Sequence, residues 1–133
     1  TYLYPMFMTI EGSLRDQLSA LVRIQAPDGL WHTVLTDPES YTETSASAGI
    51  AAAIALNGHP LHADALRKAY AGISGRISPE GKVKGVSGGT GVMNTVADYR
   101  AIPNKRVQGW GQGLTLAFLA ALLTKSGNGG SSV

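Results

Sequence analysis

The run from Thr44 to Leu56, Thr-Ser-Ala-Ser-Ala-Gly-Ile-Ala-Ala-Ala-Ile-Ala-Leu, narrows the possible folds more than any other stretch. Thr44 or Ser45 starts a helix in which Ala46, Ser47, Ala48, Gly49, Ala51, Ala52, Ala53 and Ala55 leave almost no side-chain bulk on any face. A surface helix divides into an apolar stripe and a polar side, and this one does not. Side-chain size sets how closely two helices approach, so a helix this slim is built to be approached from more than one side. It reads as an inner helix surrounded by others, ended by Asn57-Gly58.

The surrounding helices are legible too. Thr9 or Ser13 caps a helix reaching to about Gln25, with Leu14, Leu18, Leu21 and Val22 as one stripe and Pro27 as its end. Pro60 to Ser74 predicts an outer helix, with Leu61, Ala65, Leu66, Ala69, Tyr70 and Ile73 buried and Asp64, Arg67 and Lys68 outside. Leu114 to Thr124 is apolar nearly all round, a second inner helix entered through Gly109-Trp110-Gly111-Gln112-Gly113. Alternating inner and outer helices joined by short turns give an all-α fold of paired helical hairpins in two concentric layers. The 133 residues suit one domain with a single core. Residues 1 to 8 are aromatic and apolar and should pack on the body or on a neighbour. Gly75 to Arg106, rich in glycine, has no sustained period and should be a long loop with short strands near Lys82 to Val86, and such loops are usually functional. The Gly/Ser-rich tail, 125 to 133, should be flexible.

Composition closes off several function classes. The net charge of +2 comes from Lys and Arg scattered in ones and twos, with no basic run among aromatics, so nucleic acid is not the expected partner. With no cysteine there is neither a disulfide nor a thiolate metal site, and that absence fits cytosol and periplasm equally. The longest apolar runs, Ile50 to Leu56 and Leu114 to Leu123, fall short of the ~20 residues a bilayer requires. The opening segment lacks a basic start and is interrupted by Pro5, so it does not read as a signal peptide, and a cytoplasmic location is expected. His32, His59 and His62 have no second ligand pair at matching spacing, and His62 reads as a solvent-facing first-turn residue. The glycines at 109, 111 and 113 lack the strand that a phosphate loop follows and read as a close approach to a neighbouring helix. Neither a metal nor a cofactor is expected.

Candidate chemistry gathers between Asp28 and Ile50. A Pro27-Asp28-Gly29 turn, a short apolar run and a second turn at Asp37-Pro38-Glu39-Ser40 form a helix-to-helix hairpin holding Trp31, His32, Tyr41 and Glu43. Trp31, Tyr41, Tyr99 and Trp110 are amphipathic rings in or beside loops, suited either to stacking on sugar or to covering the core. Glu43 and Asp98 are the acids set among aromatics and glycines. Each also has a structural use: Glu43 as cap of the helix starting at Thr44, Asp98 as holder of a turn before Tyr99.

Gln25, Asp28-Gly29-Leu30-Trp31, Val34-Leu35, Asp37-Pro38, Ser40-Tyr41, the run Glu43 to Ala48 and the later Gly88-Gly89-Thr90-Gly91 resemble the C-terminal half of glycoside hydrolase family 105. These are the unsaturated rhamnogalacturonyl hydrolases, related to the unsaturated glucuronyl hydrolases of family 88. The resemblance is specific from Gln25 to Ala48 and looser afterwards, and His32 departs from it, standing where the family usually has an aromatic. It implies an (α/α)6 toroid of six helical hairpins, and hydration of the double bond in a 4,5-unsaturated uronic acid left by pectin lyases, without a metal. It also implies that the protonating aspartate, with a histidine and an Arg-Gly-Asn-Gly-Trp element, lies in the N-terminal half, so no catalytic residue is assigned here. Helices of about 12 residues with loops of about 5 place even a minimal twelve-helix toroid above ~200 residues, so the chain would hold about half of it, as a fragment or truncated relative. On this reading Trp31 and Tyr99 stack on an unsaturated uronic-acid oligosaccharide, Thr90 and the backbone around Gly89 hydrogen-bond to it, His32 lies beside it and Glu43 orients the loop. A missing half or a second copy would complete the ring. The alternative is a non-catalytic sugar-binding or self-associating helical module.

Overall fold

The computed structural model describes residues 3–127 and shows an all-α chain. Its helices are α1 (Leu3–Arg23), α2 (Thr44–Asn57), α3 (Ala63–Ser74), α4 (Val96–Arg100) and α5 (Gly109–Gly127). A 3-10 turn, Pro60–His62, leads into α3. The slim helix α2 lies at the centre and packs against α1, α3 and α5. The core forms around it from Leu18, Leu30, Trp31, Ile54, Ile73 and Phe118, with Ala48, Ala51 and Ala69 where helices come close. Glu43 caps α2 at its start, and Gly58, at φ 67°, ends it in the left-handed conformation that glycine adopts without a Cβ penalty.

Several boundaries differ from expectation for identifiable reasons. Helix α1 starts at Leu3 rather than near Thr9 or Ser13, because Pro5 falls in the first turn, where a missing N–H removes no intrahelical bond. Leu14, expected on the buried stripe, is exposed along with Met8 and Ile10, and between Met8 and Arg23 burial against the core starts at Leu18. The expected packing of the side chains of residues 1 to 7 and the expected flexibility of residues 128 to 133 lie outside what the structure describes. In α3, Ala65, Ala69 and Ile73 are buried as expected, whereas Leu61 and Tyr70 are exposed. His62 is buried, contrary to its solvent-facing reading. In the 3-10 turn residues three apart lie one above the other, which brings the His59 and His62 rings to 5.3 Å between centroids. The glycines at 109, 111 and 113 are part of α5, not a lead-in to it. The neighbour that comes close there is a loop residue rather than a helix: a Cβ at Gly111 would stand 2.5 Å from a Val86 methyl.

Residues 75 to 108 are mostly loop. The expected strands amount to one bridge, Ile77 with Val83, and the five-residue α4 interrupts the rest. Val83, Val86 and Ile102 anchor this loop by burial. The Gln112 amide clamps it to α5, accepting from the Val83 N–H at 2.7 Å and donating to the Gly81 carbonyl at 3.0 Å. Among the described residues no helix is long and apolar enough to cross a membrane.

Candidate functional site

The hairpin between α1 and α2 is zipped by two backbone bonds, Thr33 N–H to the Tyr41 carbonyl and Glu43 N–H to the Trp31 carbonyl, both 2.9 Å. Side chains alternate across such a pairing, so neighbouring residues are sent in opposite directions. Trp31 goes inward. It is fully buried, its Nε1–H donates to the Leu21 carbonyl at 2.8 Å, and its backbone N–H donates to Ser47 Oγ. The expectation that Trp31 stacks on sugar is therefore corrected: no face of the indole is open to a ligand, and the ring joins α1 to the base of α2. His32 goes outward. Its Nδ1 contacts the Ser40 carbonyl, and the ring lines a shallow groove of about 290 Å³ with Gln25, Leu35 and Pro38.

Glu43 is buried, and its carboxylate is filled by protein donors. It accepts from Ser45 Oγ at 2.8 and 2.9 Å, from the Ala46 N–H, and from the Ser87 N–H at 2.9 Å. Buried carboxylates are tolerated when hydrogen-bonded in this way. Besides capping α2, Glu43 thus ties the glycine-rich loop to the hairpin. Thr44 adds to the tie, its N–H donating to the Gly85 carbonyl and its hydroxyl to the Lys84 carbonyl.

Beyond this tie lies a larger cleft of about 810 Å³, within the usual range of small-molecule sites. Tyr41, Gly88 and Gly89 line it, together with the segment from Arg100 to Gln108. The Gly88 N–H donates to the Pro103 carbonyl at 2.7 Å, which fixes the distance between two of the lining segments. Arg100 is held from behind, its Nε and Nη2 reaching the two Asp37 oxygens at 2.6 and 2.8 Å and Nη1 lying 2.9 Å from Glu39. This fork keeps the Asp37 carboxyl below the usual carboxylate range and raises the Arg100 guanidinium above its ordinary value. Lys105 and Arg106 are exposed in the cleft. The Tyr41 hydroxyl is buried with no partner among the described residues. Among the described residues no carboxylate lines the cleft.

The expected site residues are therefore dispersed. Gly89 lines the large cleft, and Thr90 follows it on the exposed loop, its hydroxyl bonded to the Gly88 carbonyl. The Tyr99 hydroxyl accepts from the Met93 N–H at 3.1 Å and steadies that loop. Asp98 completes a capping box with Thr95 at the start of α4. Arg100, Lys105, Arg106 and Gln108 were not singled out from sequence. Three cations within seven residues were the available signal, and spread along a segment without periodicity they read as ordinary surface charge.

The Glycosyl Hydrolase Family 88 model matches residues 3–125. The unsaturated rhamnogalacturonyl hydrolase YesR of Bacillus subtilis (strain 168) is 54% identical over 120 residues, which are 90% of this chain and 35% of that protein. Two solved structures, described as possible members of the GH105 family, come from Klebsiella pneumoniae subsp. pneumoniae MGH 78578 and Salmonella enterica subsp. enterica serovar Paratyphi A str. ATCC 9150. Each is 37% identical, with TM-scores of 0.77 and 0.78, and the match covers 83% of this chain and 30% of theirs. A family 88 glycosyl hydrolase from Bacteroides vulgatus, 18% identical with a TM-score of 0.60, shares the fold over 83% of this chain and 33% of its own. The chain thus spans about a third of the length of these relatives. The helical pairing and these neighbours bear out the all-α reading, part of an (α/α)6 toroid. Matched from residue 3 to residue 125, the chain belongs to glycosyl hydrolase family 88.

Proposed function

We propose that this chain forms part of the acidic-sugar cleft of an unsaturated uronyl hydrolase, of the kind that acts on rhamnogalacturonan fragments, and that it does not catalyse hydrolysis alone. The lining of the large cleft is the observation that carries this reading: three cations and Tyr41, with no carboxylate among the described residues. Lys105 and Arg106 suit the carboxylate of a uronic acid, and the open backbone at Gly89 with the Thr90 hydroxyl suits sugar hydroxyls. Glu43 and Tyr99 act as positioning residues for the glycine-rich loop, through Ser87 and Met93. Protonating the double bond requires an acid near it, and the described acids are engaged elsewhere or lie outside the cleft. Asp28 pairs with Arg76, Asp37 and Glu39 with Arg100, and Asp64 with Arg67 and Lys68. The relative named as an unsaturated rhamnogalacturonyl hydrolase, 54% identical, supports the choice of substrate.

Titration of the 133-residue chain with an unsaturated galacturonyl-rhamnose disaccharide, followed by NMR, tests the binding half. Binding is expected, and removing both charges with Lys105→Ala and Arg106→Ala should weaken it about fivefold or more, since an exposed ion pair contributes up to ~1 kcal/mol. Equal binding by the double variant would show that the cations are not the determinant. The other half is tested by absorbance: the double bond of the disaccharide should persist in the presence of the pure chain, and its loss faster than in buffer would refute inactivity.

A further inference from the structure

The groove around His32 is separate from the large cleft and has a different chemistry. Its eight lining residues all lie between positions 24 and 38, so one continuous segment, the hairpin between α1 and α2, builds it. Among them is no charged side chain. Ile24, Pro27, Leu35 and Pro38 supply aliphatic walls, and the two prolines hold their stretches of backbone at a fixed φ. The polar groups set in these walls are already oriented. A carbonyl only accepts, so the contact of His32 Nδ1 with the Ser40 carbonyl puts the proton of the neutral ring on Nδ1 and leaves the Nε2 lone pair open. Gln25 is held in a similar way: its Nε2 donates to the Gly29 carbonyl at 2.8 Å and to the Ala65 carbonyl at 2.9 Å. That fixes the amide and leaves Oε1 as an acceptor with no partner among the described residues.

We infer that this groove is a binding subsite for one neutral sugar residue of the 6-deoxyhexose class, with His32 Nε2 and Gln25 Oε1 accepting from its ring hydroxyls. Two fixed acceptors call for a ligand that donates, and aliphatic walls call for one with an apolar face. A sugar ring has both, hydroxyls along its edge and C–H groups on its face. A carboxylate or a phosphate is disfavoured, because its oxygens only accept and no cation lines the groove to offset its charge. The 6-deoxy form fits because a methyl group packs on Leu35 and Ile24, where a sixth-position hydroxyl would lose water without gaining a partner. A volume of about 290 Å³ lies at the lower edge of the range of small-molecule sites, which limits the occupant to one ring. The groove and the cleft thus sort opposite ligands: the cleft carries cations, the groove carries acceptors.

This inference rests on the lining of the groove and stands or falls separately from the uronide reading of the cleft. Titration of the 133-residue chain with methyl α-L-rhamnopyranoside, followed by NMR, should shift the His32 ring and Leu35 methyl resonances with a Kd of about 1–10 mM and leave Gly89 unmoved. Galacturonate should leave the His32 and Leu35 resonances in place, whether or not it enters the cleft. His32→Asn, whose side-chain amide can keep the bond to the Ser40 carbonyl but has no counterpart of Nε2, should weaken rhamnoside binding about tenfold. Leu35→Ala, at a position 43% exposed where truncation spares the core, should weaken it about threefold. The absence of any shift up to ~50 mM rhamnoside overturns the inference, as do shifts confined to the cleft. So do equal shifts of His32 with galacturonate, or an affinity unchanged in either variant.

Discussion

Trp31 shows how the role of one side chain depends on its surroundings. A tryptophan after a Pro-Asp-Gly turn has the placement of a stacking aromatic, yet the ring is fully buried and its N–H has a carbonyl partner within the core. Removing it leaves a large cavity and takes away one of the two donors to the Leu21 carbonyl, which keeps the Ile24 N–H, so Trp31→Ala should cost roughly 3–5 kcal/mol of stability. Urea unfolding of the chain measures this, and a loss below ~1 kcal/mol would return the ring to the surface. Gly29 is constrained just as tightly by its neighbours. At φ 84° and with a Cβ position 2.1 Å from the Lys68 carbonyl oxygen, it admits no other residue without displacing α3. Asp28 beside it accepts from the Thr42 hydroxyl at 2.7 Å and pairs with Arg76, which joins the turn to the far end of α3.

At the scale of elements, the cleft depends on loops held by a few polar ties. The Asp37–Arg100 fork joins the turn before α2 to α4, across a sequence separation of 63 residues. Its carboxyl has a lowered pKa, so the folded state binds that proton less readily than the unfolded chain does. The stability it contributes is therefore present above the unfolded value, 3.8 in the absence of the fork, and is lost as pH falls through the lower folded value. Urea midpoints at pH 6 and at pH 3 should differ more for the native chain than for Arg100→Gln. Equal acid sensitivity in the two would show that other carboxylates dominate. The tie between α5 and the loop is of another kind, a glycine contact at Gly111 with Val86 and an amide clamp at Gln112, and has no charge to titrate.

For the molecule as a whole, the chain holds one core and an apolar outer face on α5, where Trp110, Leu116 and Leu123 are exposed and no described residue covers them. The chain spans about a third of the length of the relatives it matches, and an inner helix of paired hairpins is flanked on both sides. Leu116→Glu on that face should therefore change the stability of the 133-residue chain by less than ~0.5 kcal/mol in urea unfolding. A larger loss would show that the face is packed within the chain.

What the sequence determined by itself was the set of elements and their layering. The small-residue run of α2, the amphipathic α3 and the largely apolar α5 are local patterns, and burial follows from side-chain volume and polarity that each segment carries alone. The caps at Glu43 and Asn57-Gly58 were legible for the same reason, because capping is a short-range bond. The family was legible in the continuous run from Gln25 to Ala48. What only the tertiary structure decided was which loop residues meet. Tyr41, Gly88 and Arg100 share one cleft although up to 59 positions separate them, while adjacent Trp31 and His32 part company, one into the core and one to a different groove. A loop has no period from which to read facing. Its side chains are directed by long-range ties such as Glu43 to Ser87 and Asp37 to Arg100, and these exist only once the helices have packed.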